Sequence, residues 1–245
     1  MEGSKGPEWL PEAAVMVRDE AVRFLVTVLQ CTRHPRRFAT AWFAGETRAP
    51  NPIGYVSTAL AVTAAVKAVT ATVIGVDDNG GLWSSLAVAT LPYAYYALLG
   101  VLCHIGFRLG GATRPLSASL AIALYIGGGP GLLLTLAIEI DVLLYSLLTG
   151  VTDFGHGFAG APAWAQSILM VLVAAMSGLF VLALTSALAG LHGATSRLRA
   201  LVAIVFALVV SGLLLSALHA AFNFSLGVPH FLFHILRGSP ISLWF

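Results

Sequence analysis

Charged residues are scarce in this chain of 245 amino acids. Asp, Glu, Lys and Arg together make up 10% of it, while 58% of the residues are hydrophobic. Soluble domains carry about 25% charged residues, and a soluble fold of this length cannot hide so much apolar surface. The net charge of +2 gives no reason to expect a nucleic-acid partner. The composition therefore predicts an integral membrane protein.

Cysteine is nearly absent, and common catalytic motifs are missing. Cys31 and Cys103 fall on the same predicted side of the membrane, so we expect two reduced thiols and no disulfide. The sequence contains no CxxC pair, no phosphate-binding glycine loop and no serine elbow. The residues before the first apolar stretch include Glu2 and Glu8 and lack the order of a cleavable signal peptide. We therefore expect no enzyme activity and no cofactor.

Five apolar stretches are long enough to cross a bilayer, which takes roughly 20 residues in a helix. They cover residues 53–76, 86–107, 116–148, 164–190 and 198–222. They predict an all-α fold, a polytopic bundle of five transmembrane helices within residues 51–235. Amphipathic interfacial helices are expected in residues 1–50, and a short outer tail at 236–245. The long third stretch predicts either one tilted, broken helix or a span that ends near Ile138 and continues as a short outer helix.

The basic residues define an orientation for this bundle. Eleven of the 13 Lys and Arg residues lie before span 1, between spans 2 and 3, or between spans 4 and 5. Arg237 falls on the opposite side, and Lys67 lies inside span 1. Because Lys and Arg collect in short cytoplasmic loops, this division predicts a cytoplasmic N-terminus and an external C-terminus.

The residues before span 1 form two predicted helices. From Glu12 to Thr32, apolar residues recur at helical spacing, which indicates an amphipathic helix. A second helix, from Pro35 to Gly45, combines basic and aromatic side chains, a mixture that suits the headgroup layer above anionic lipids. The alternative is a passive anchor. The predicted lipid or partner surface comprises Arg33, Arg36, Arg37, Phe38 and Trp42.

Three short stretches carry a resemblance to a known family. They are His34-Pro35-Arg36-Arg37-Phe38, the region from Cys103 to Pro130, and Leu191-His192-Gly193 with the Arg199 that follows. On these residues the chain resembles the bacterial branch of the Yip family (Ypt/Rab-interacting protein) of five-span membrane proteins. The resemblance implies a cytoplasmic N-terminal segment, five helices and no known catalytic residues. It also implies a multi-pass protein of the bacterial inner membrane.

Ionisable residues inside the predicted spans form one candidate site. A charge at the bilayer centre costs upward of about 2.5 kcal/mol, so each such residue calls for a partner or a watery cavity. Lys67, Glu139 and Asp141 lie at similar predicted depths toward the outer face. Because residues i and i+2 point to different sides of a helix, one of the two acids is expected to face the lysine. The pair either locks span 1 to span 3 or belongs to a proton or ion path.

A run of glycines interrupts span 3. Gly127, Gly128, Gly129, Pro130 and Gly131 all disfavour a regular helix. A break there exposes backbone groups, with which discontinuous membrane helices bind ions or anionic substrates. Transporters of that design show paired breaks in internal repeats, and this sequence has no second one. The run therefore predicts close helix packing or a kink, with a ligand site as the alternative.

Histidines on the predicted outer side form a further candidate. His230 and His234 are spaced i,i+4, as in helical metal sites, and His219 lies on the same side. No Glu stands between the first two, so we predict no bound metal and keep the three histidines as an alternative site of an intramembrane metalloenzyme. The His219-to-Asn223 spacing matches the end motif of CAAX-type proteases, but their Glu-Glu-xxx-Arg element is missing.

These features together predict a non-enzymatic, Yip-like membrane protein that organises protein partners or lipids. Its expected partners are anionic lipids at the N-terminal helices and other membrane proteins or a second copy of itself. The alternative is a transporter or channel component that uses Lys67 with Glu139 or Asp141 and the Gly127-to-Gly131 break. A water-accessible cavity joining these residues would favour transport, whereas a dry, filled core would favour the organising role.

Overall fold

The computed structural model describes residues 9–74, 81–109, 111–150, 163–193 and 197–222. The secondary structure in these ranges is helical throughout, so the fold class is all-α, as predicted. A π-helical stretch joins α5 to α6 at Gly127–Gly131 and is named here the glycine segment. The α-helices in chain order are α1 Trp9–Arg33, α2 Pro35–Phe43, α3 Pro52–Ile74, α4 Gly81–Leu109, α5 Leu116–Ile126, α6 Leu132–Thr149, α7 Ala163–Leu191 and α8 Arg197–Phe222.

Local sequence explains where several of these helices begin and end. Helix α2 starts at Pro35, since a first-turn residue needs no backbone N–H. At the start of α3, the side-chain Oδ1 of Asn51 accepts a hydrogen bond from the Ile53 N–H at 2.9 Å. Helix α6 ends at Thr149 and is capped by Gly150, whose φ of +69° lies in the left-handed region that favours glycine.

The helices cover the stretches that the apolar pattern predicts. The first predicted span corresponds to α3 as far as Ile74, and the second, fourth and fifth lie within or along α4, α7 and α8. The third corresponds to α5, the glycine segment and α6 in unbroken succession. Because α6 continues through Ile138 to Thr149, the alternative of a span that ends near Ile138 is not the arrangement found.

Two of the described helical stretches, Pro52–Val73 and Leu116–Leu147, are long and apolar enough to cross a membrane. Only 22% of the first is buried, whereas the apolar core helix of a soluble protein is mostly buried. Large apolar side chains on α8, including Val202, Val205 and Val209, are also exposed. Such extensive apolar surface is unusual in a protein surrounded by water. It indicates a membrane location.

The core is centred on the glycine segment. Helices α1, α3 and α4 all pack against it, while α2 lies along α7. Helix α4 also contacts α3, α5 and α8. The N-terminal helices therefore belong to the same packed body as the apolar helices.

Helix α1 has two apolar faces, where the sequence pattern predicts one. Of the predicted face, Phe24 and Val28 are buried against the bundle, together with the neighbouring Cys31, whereas Val17 is 69% exposed. A second stripe points away from the bundle because its residues lie on the opposite side of the helical turn. Its members, each between 45% and 58% exposed, are Val22, Leu25, Val26 and Leu29.

Candidate functional site

Lys67 on α3 and Glu139 on α6 form an ion pair. The Nζ and Oε1 atoms are 2.5 Å apart, and the two side chains are 27% and 12% exposed. Asp141 lies two residues further along α6 and makes no salt bridge to the described residues. The sequence did not decide which of the two acids faces Lys67, and the structure pairs the lysine with Glu139. The pair neutralises both charges in apolar surroundings and links two neighbouring helices.

Aromatic rings fill the space beside the glycine segment. All five of its residues are buried. A Cβ atom added to Gly128 would lie 2.6 Å from the Tyr55 ring, and one added to Gly131 would lie 2.9 Å from the Tyr96 hydroxyl. A side chain on Gly127 would also overlap the Tyr96 ring. Glycine is therefore required here because two tyrosine rings rest directly on the backbone.

The aromatic cluster extends from the glycine segment to α2. The Tyr125 ring on α5 lies 5.2 Å from Tyr55, 5.1 Å from Phe38 and 5.8 Å from Trp42, measured between centroids. Its hydroxyl donates a hydrogen bond to the Pro50 carbonyl, just before α3. Edge-to-face contacts of this kind add to the energy of burial. The cluster thus ties α2, α3 and α5 together.

This packing corrects part of the predicted lipid surface. Phe38 is 3% exposed and Trp42 is partly buried, because the aromatic side of α2 packs on Tyr125 and not on lipid. Arg33, Arg36 and Arg37 remain exposed, and none of them forms a salt bridge with the described residues. The surface that remains from the prediction is a cluster of three arginines.

The position of Arg36 is determined by a close contact between α2 and α7. A Cβ atom on Gly190 would lie 2.6 Å from the Arg36 carbonyl oxygen and 2.9 Å from its Cγ. Next to this contact, a groove of about 680 Å³ opens along α7. Both Arg36 and Pro130 line it, so the groove connects two of the predicted sites. The sequence pattern gave no indication of this groove.

A hydrogen-bonded chain of two histidines and a serine was not predicted. Ser119, buried in α5, lies 3.0 Å from His104 Nδ1 and 3.0 Å from His192 Nε2. The His192 ring stacks on Phe107 with a centroid distance of 4.5 Å. Burial, together with the nearby His104 and Arg114, lowers the pKa of His192 to about 4. The imidazole is therefore neutral at pH 7, and the chain connects α4 and α5 to the end of α7.

These residues escaped sequence reasoning because 15 and 73 positions separate Ser119 from its two partners. The sequence did contain one indication, because the two histidines share a predicted depth in the membrane. His104 near the end of span 2 and His192 between spans 4 and 5 both fall at the predicted cytoplasmic end of the bundle. A polar side chain at the same level of span 3 was a natural candidate for a partner.

The predicted metal ligands lie largely outside the described residues. His230 and His234 are outside them, and His219 is on α8 with a side chain that the structure does not describe. Within the described ranges, no three His, Cys, Asp or Glu side chains are grouped closely enough to hold a metal ion. Cys31 and Cys103 are buried free thiols, and burial raises the pKa of Cys31.

No protein family, curated protein or solved structure matches this chain. The fold and its hydropathy define the class: an all-helical protein in which two described helical stretches are long and apolar enough to cross a membrane. The resemblance to the Yip family stays a prediction.

Proposed function

We propose that this chain is a five-span protein of a bacterial inner membrane that organises lipids or partner proteins at the cytoplasmic face without catalysing a reaction. The spans are the five predicted stretches, with the N-terminus inside and the C-terminus outside. The exposed apolar surface of α3 and α8 supports insertion. The distribution of Lys and Arg along the sequence supports the orientation.

The filled core carries this proposal over the alternative of a transporter. An ion or proton path needs water or a relay of ionisable groups. Between the Lys67 pair and the glycine segment lies instead a buried hydrogen bond of 3.1 Å between Thr63 and Tyr93. The tyrosine rings then occupy the space beside the glycines. The Lys67 pair acts in this proposal as a lock between α3 and α6.

The packing of α1 and α2 supports an organising surface over a passive anchor. Both helices contribute buried residues to the common core, including Cys31 and Phe38. Arg33 at the end of α1 and Arg36 and Arg37 on α2 are therefore held in a defined place on the folded protein. A cationic cluster at the cytoplasmic surface attracts anionic lipids or acidic partners.

Reconstitution of the full chain in vesicles tests whether the protein transports protons or cations. We expect proton and cation fluxes equal to those of empty vesicles, for wild type and for Lys67→Met alike. Flux above this background that Lys67→Met abolishes would overturn the proposal.

Copurification in mild detergent tests the organising role. Wild type should retain anionic lipids or acidic proteins, and Arg33→Gln/Arg36→Gln/Arg37→Gln should lose most of them. Arg18→Gln/Arg23→Gln is the matched control, since it also removes exposed arginines from α1 but these are paired with Asp19 and Glu20. Equal losses in the two variants would contradict a role for the cluster. Deletion of α1 and α2 is unsuitable because it would uncover the core.

A further inference from the structure

The groove beside Arg36 is long enough for one chain of an amphiphile. Its walls come from α7, the starts of α6 and α8, the glycine segment and the junction between α1 and α2. Leu179 and Ala189 both line it, and their separation of ten positions along α7 corresponds to roughly 15 Å of helix. Its volume of about 680 Å³ lies within the range of ligand sites, roughly 300–1,000 Å³.

The polar lining residues of the groove lie toward one end. Leu133, Leu179 and Phe180 line the end that the proposed orientation places within the membrane. Ser186 and Arg36 line the end nearer the cytoplasm, together with apolar residues at the start of α8. A phospholipid of the cytoplasmic leaflet has the same order, with its headgroup at the surface and its chains below.

The charge at the cytoplasmic end favours an anionic ligand. Arg36 is exposed and makes no salt bridge with the described part of the chain. A guanidinium group binds phosphate with two parallel hydrogen bonds. Its backbone rests on Gly190, which keeps the side chain at the mouth of the groove.

The groove opens sideways onto apolar surface. Leu182 and Leu198 line it and are 62% and 67% exposed. A free phosphate or an acidic peptide would leave this apolar lining uncovered. A molecule with an anionic head and an apolar chain covers both parts.

We propose that this groove binds one anionic phospholipid of the cytoplasmic leaflet, with its phosphate on Arg36 and one acyl chain along α7. The proposal rests on the proposed membrane orientation. It deepens the organising role by naming a single lipid site, distinct from general attraction of lipids to the arginine cluster.

Native mass spectrometry of the full chain in detergent micelles tests the site, with phosphatidylglycerol and phosphatidylethanolamine as probes. We expect one retained phosphatidylglycerol, preferred over phosphatidylethanolamine. Arg36→Gln should weaken phosphatidylglycerol binding about fivefold, the factor expected for one arginine near an anionic surface. Arg37→Gln is the matched control because it removes an exposed arginine of the same helix that does not line the groove. Its effect should be clearly smaller than that of Arg36→Gln, because Arg37 does not line the groove and so cannot contact a phosphate held there.

A variant that fills the groove distinguishes lipid binding in the groove from attraction of lipid to surface charge. Ser186→Trp should prevent retention of either lipid, whereas Val209→Trp, at an exposed position of α8 outside the groove, should not. Melting temperatures close to that of wild type show that both variants fold. If Ser186→Trp fails to fold, the comparison of Arg36→Gln with Arg37→Gln decides alone.

Three results would overturn the proposal that the groove binds a phospholipid. They are equal losses for Arg36→Gln and Arg37→Gln, unchanged lipid retention in folded Ser186→Trp, and no preference for phosphatidylglycerol in the wild-type protein. Any of these leaves the organising role intact if lipids or proteins still copurify through the arginine cluster. Failure of the organising role itself appears separately, as equal copurification losses for the triple-arginine variant and its Arg18→Gln/Arg23→Gln control, or as Lys67-dependent flux in reconstituted vesicles.

Discussion

Replacing Gly128 with alanine tests whether close packing explains the glycine segment. The new Cβ would lie 2.6 Å from Cε1 and 2.9 Å from Cδ1 of Tyr55, distances that require one of the two residues to move. The tyrosine is 1% exposed and lies between Phe24 and Tyr125, at centroid distances of 5.0 Å and 5.2 Å. Its ring therefore has little room to retreat.

Two opposing terms set the size of the effect. Overpacking a filled core costs about 1–3 kcal/mol, while alanine gains up to about 1 kcal/mol over glycine in a helix. With an overpacking cost in the middle of its range, about 2 kcal/mol, the net expectation for Gly128→Ala is a loss of about 1–2 kcal/mol. For a chain of this length, 1 kcal/mol corresponds to about 2–4 °C in melting temperature. The apparent melting temperature should fall by about 2–8 °C.

Thermal unfolding in detergent micelles, followed by tryptophan fluorescence, measures this shift. Gly178→Ala is the matched control because Gly178 also lies inside a helix but has nothing within 4 Å of the added Cβ. It should be unchanged or slightly more stable, since the helix-propensity gain is then unopposed. The two alanine variants should therefore move in opposite directions.

A double variant locates the cause. Tyr55→Leu shortens the opposing side chain, so Gly128→Ala should cost less in that background than alone. The reasoning is refuted if Gly128→Ala is as stable as Gly178→Ala, or if the effects at positions 128 and 55 simply add.

Three further predictions concern the other buried polar groups. Lys67→Met leaves a carboxylate in apolar surroundings and should lower stability by roughly 2 kcal/mol, less than the 3–5 kcal/mol of fully buried pairs. Adding Glu139→Gln should restore most of the lost stability in the same melting assay. A double variant no more stable than Lys67→Met alone would contradict the role of the ion pair as a lock between α3 and α6. Because the folded pKa of His192, about 4, lies below the roughly 6.5 of an unfolded histidine, the unfolded chain binds more protons between these values. Stability that is complete above pH 6.5 should therefore decline toward pH 4, by about 1–2 kcal/mol after solvent screening. His192→Asn should flatten this pH dependence and exposed His34→Asn should preserve it, so equal slopes in both would refute the assignment. Both thiols are 0% exposed, and burial raises the pKa of Cys31, so a maleimide should label neither in the folded protein and both in denaturant. Rapid labelling without denaturant would contradict this packing.

The helix positions followed from the sequence because each apolar stretch is a local property of consecutive residues. The partner of Lys67 did not. Depth along the spans limited the candidate partners of Lys67 to Glu139 and Asp141. Which of these two faces the lysine depends on the rotation of α6 about its axis. The π-helical glycine segment widens one turn of the backbone and so changes which face α6 presents. A regular helical count continued from α5 cannot give that rotation.

The surface of α2 shows a similar limit. Basic and aromatic residues in one short helix predict a lipid-facing element, and the exposed arginines agree with that composition. The composition does not reveal that Tyr125 offers an aromatic face at the same level, which draws Phe38 into the core. Burial against another ring competes directly with burial in lipid, and both remove the same apolar area from water.

By itself the sequence determined the all-helical class and the placement of the apolar helices, because hydropathy and helix-breaking residues act over a few neighbouring positions. It also singled out the ionisable residues within those helices and the arginines before them. Only the tertiary structure decided that tyrosine rings require the glycines, that Ser119 joins two histidines, and that Arg36 lies at the mouth of a groove. Each of these depends on residues far apart in the chain that meet through helix rotation and packing, which local pattern does not encode.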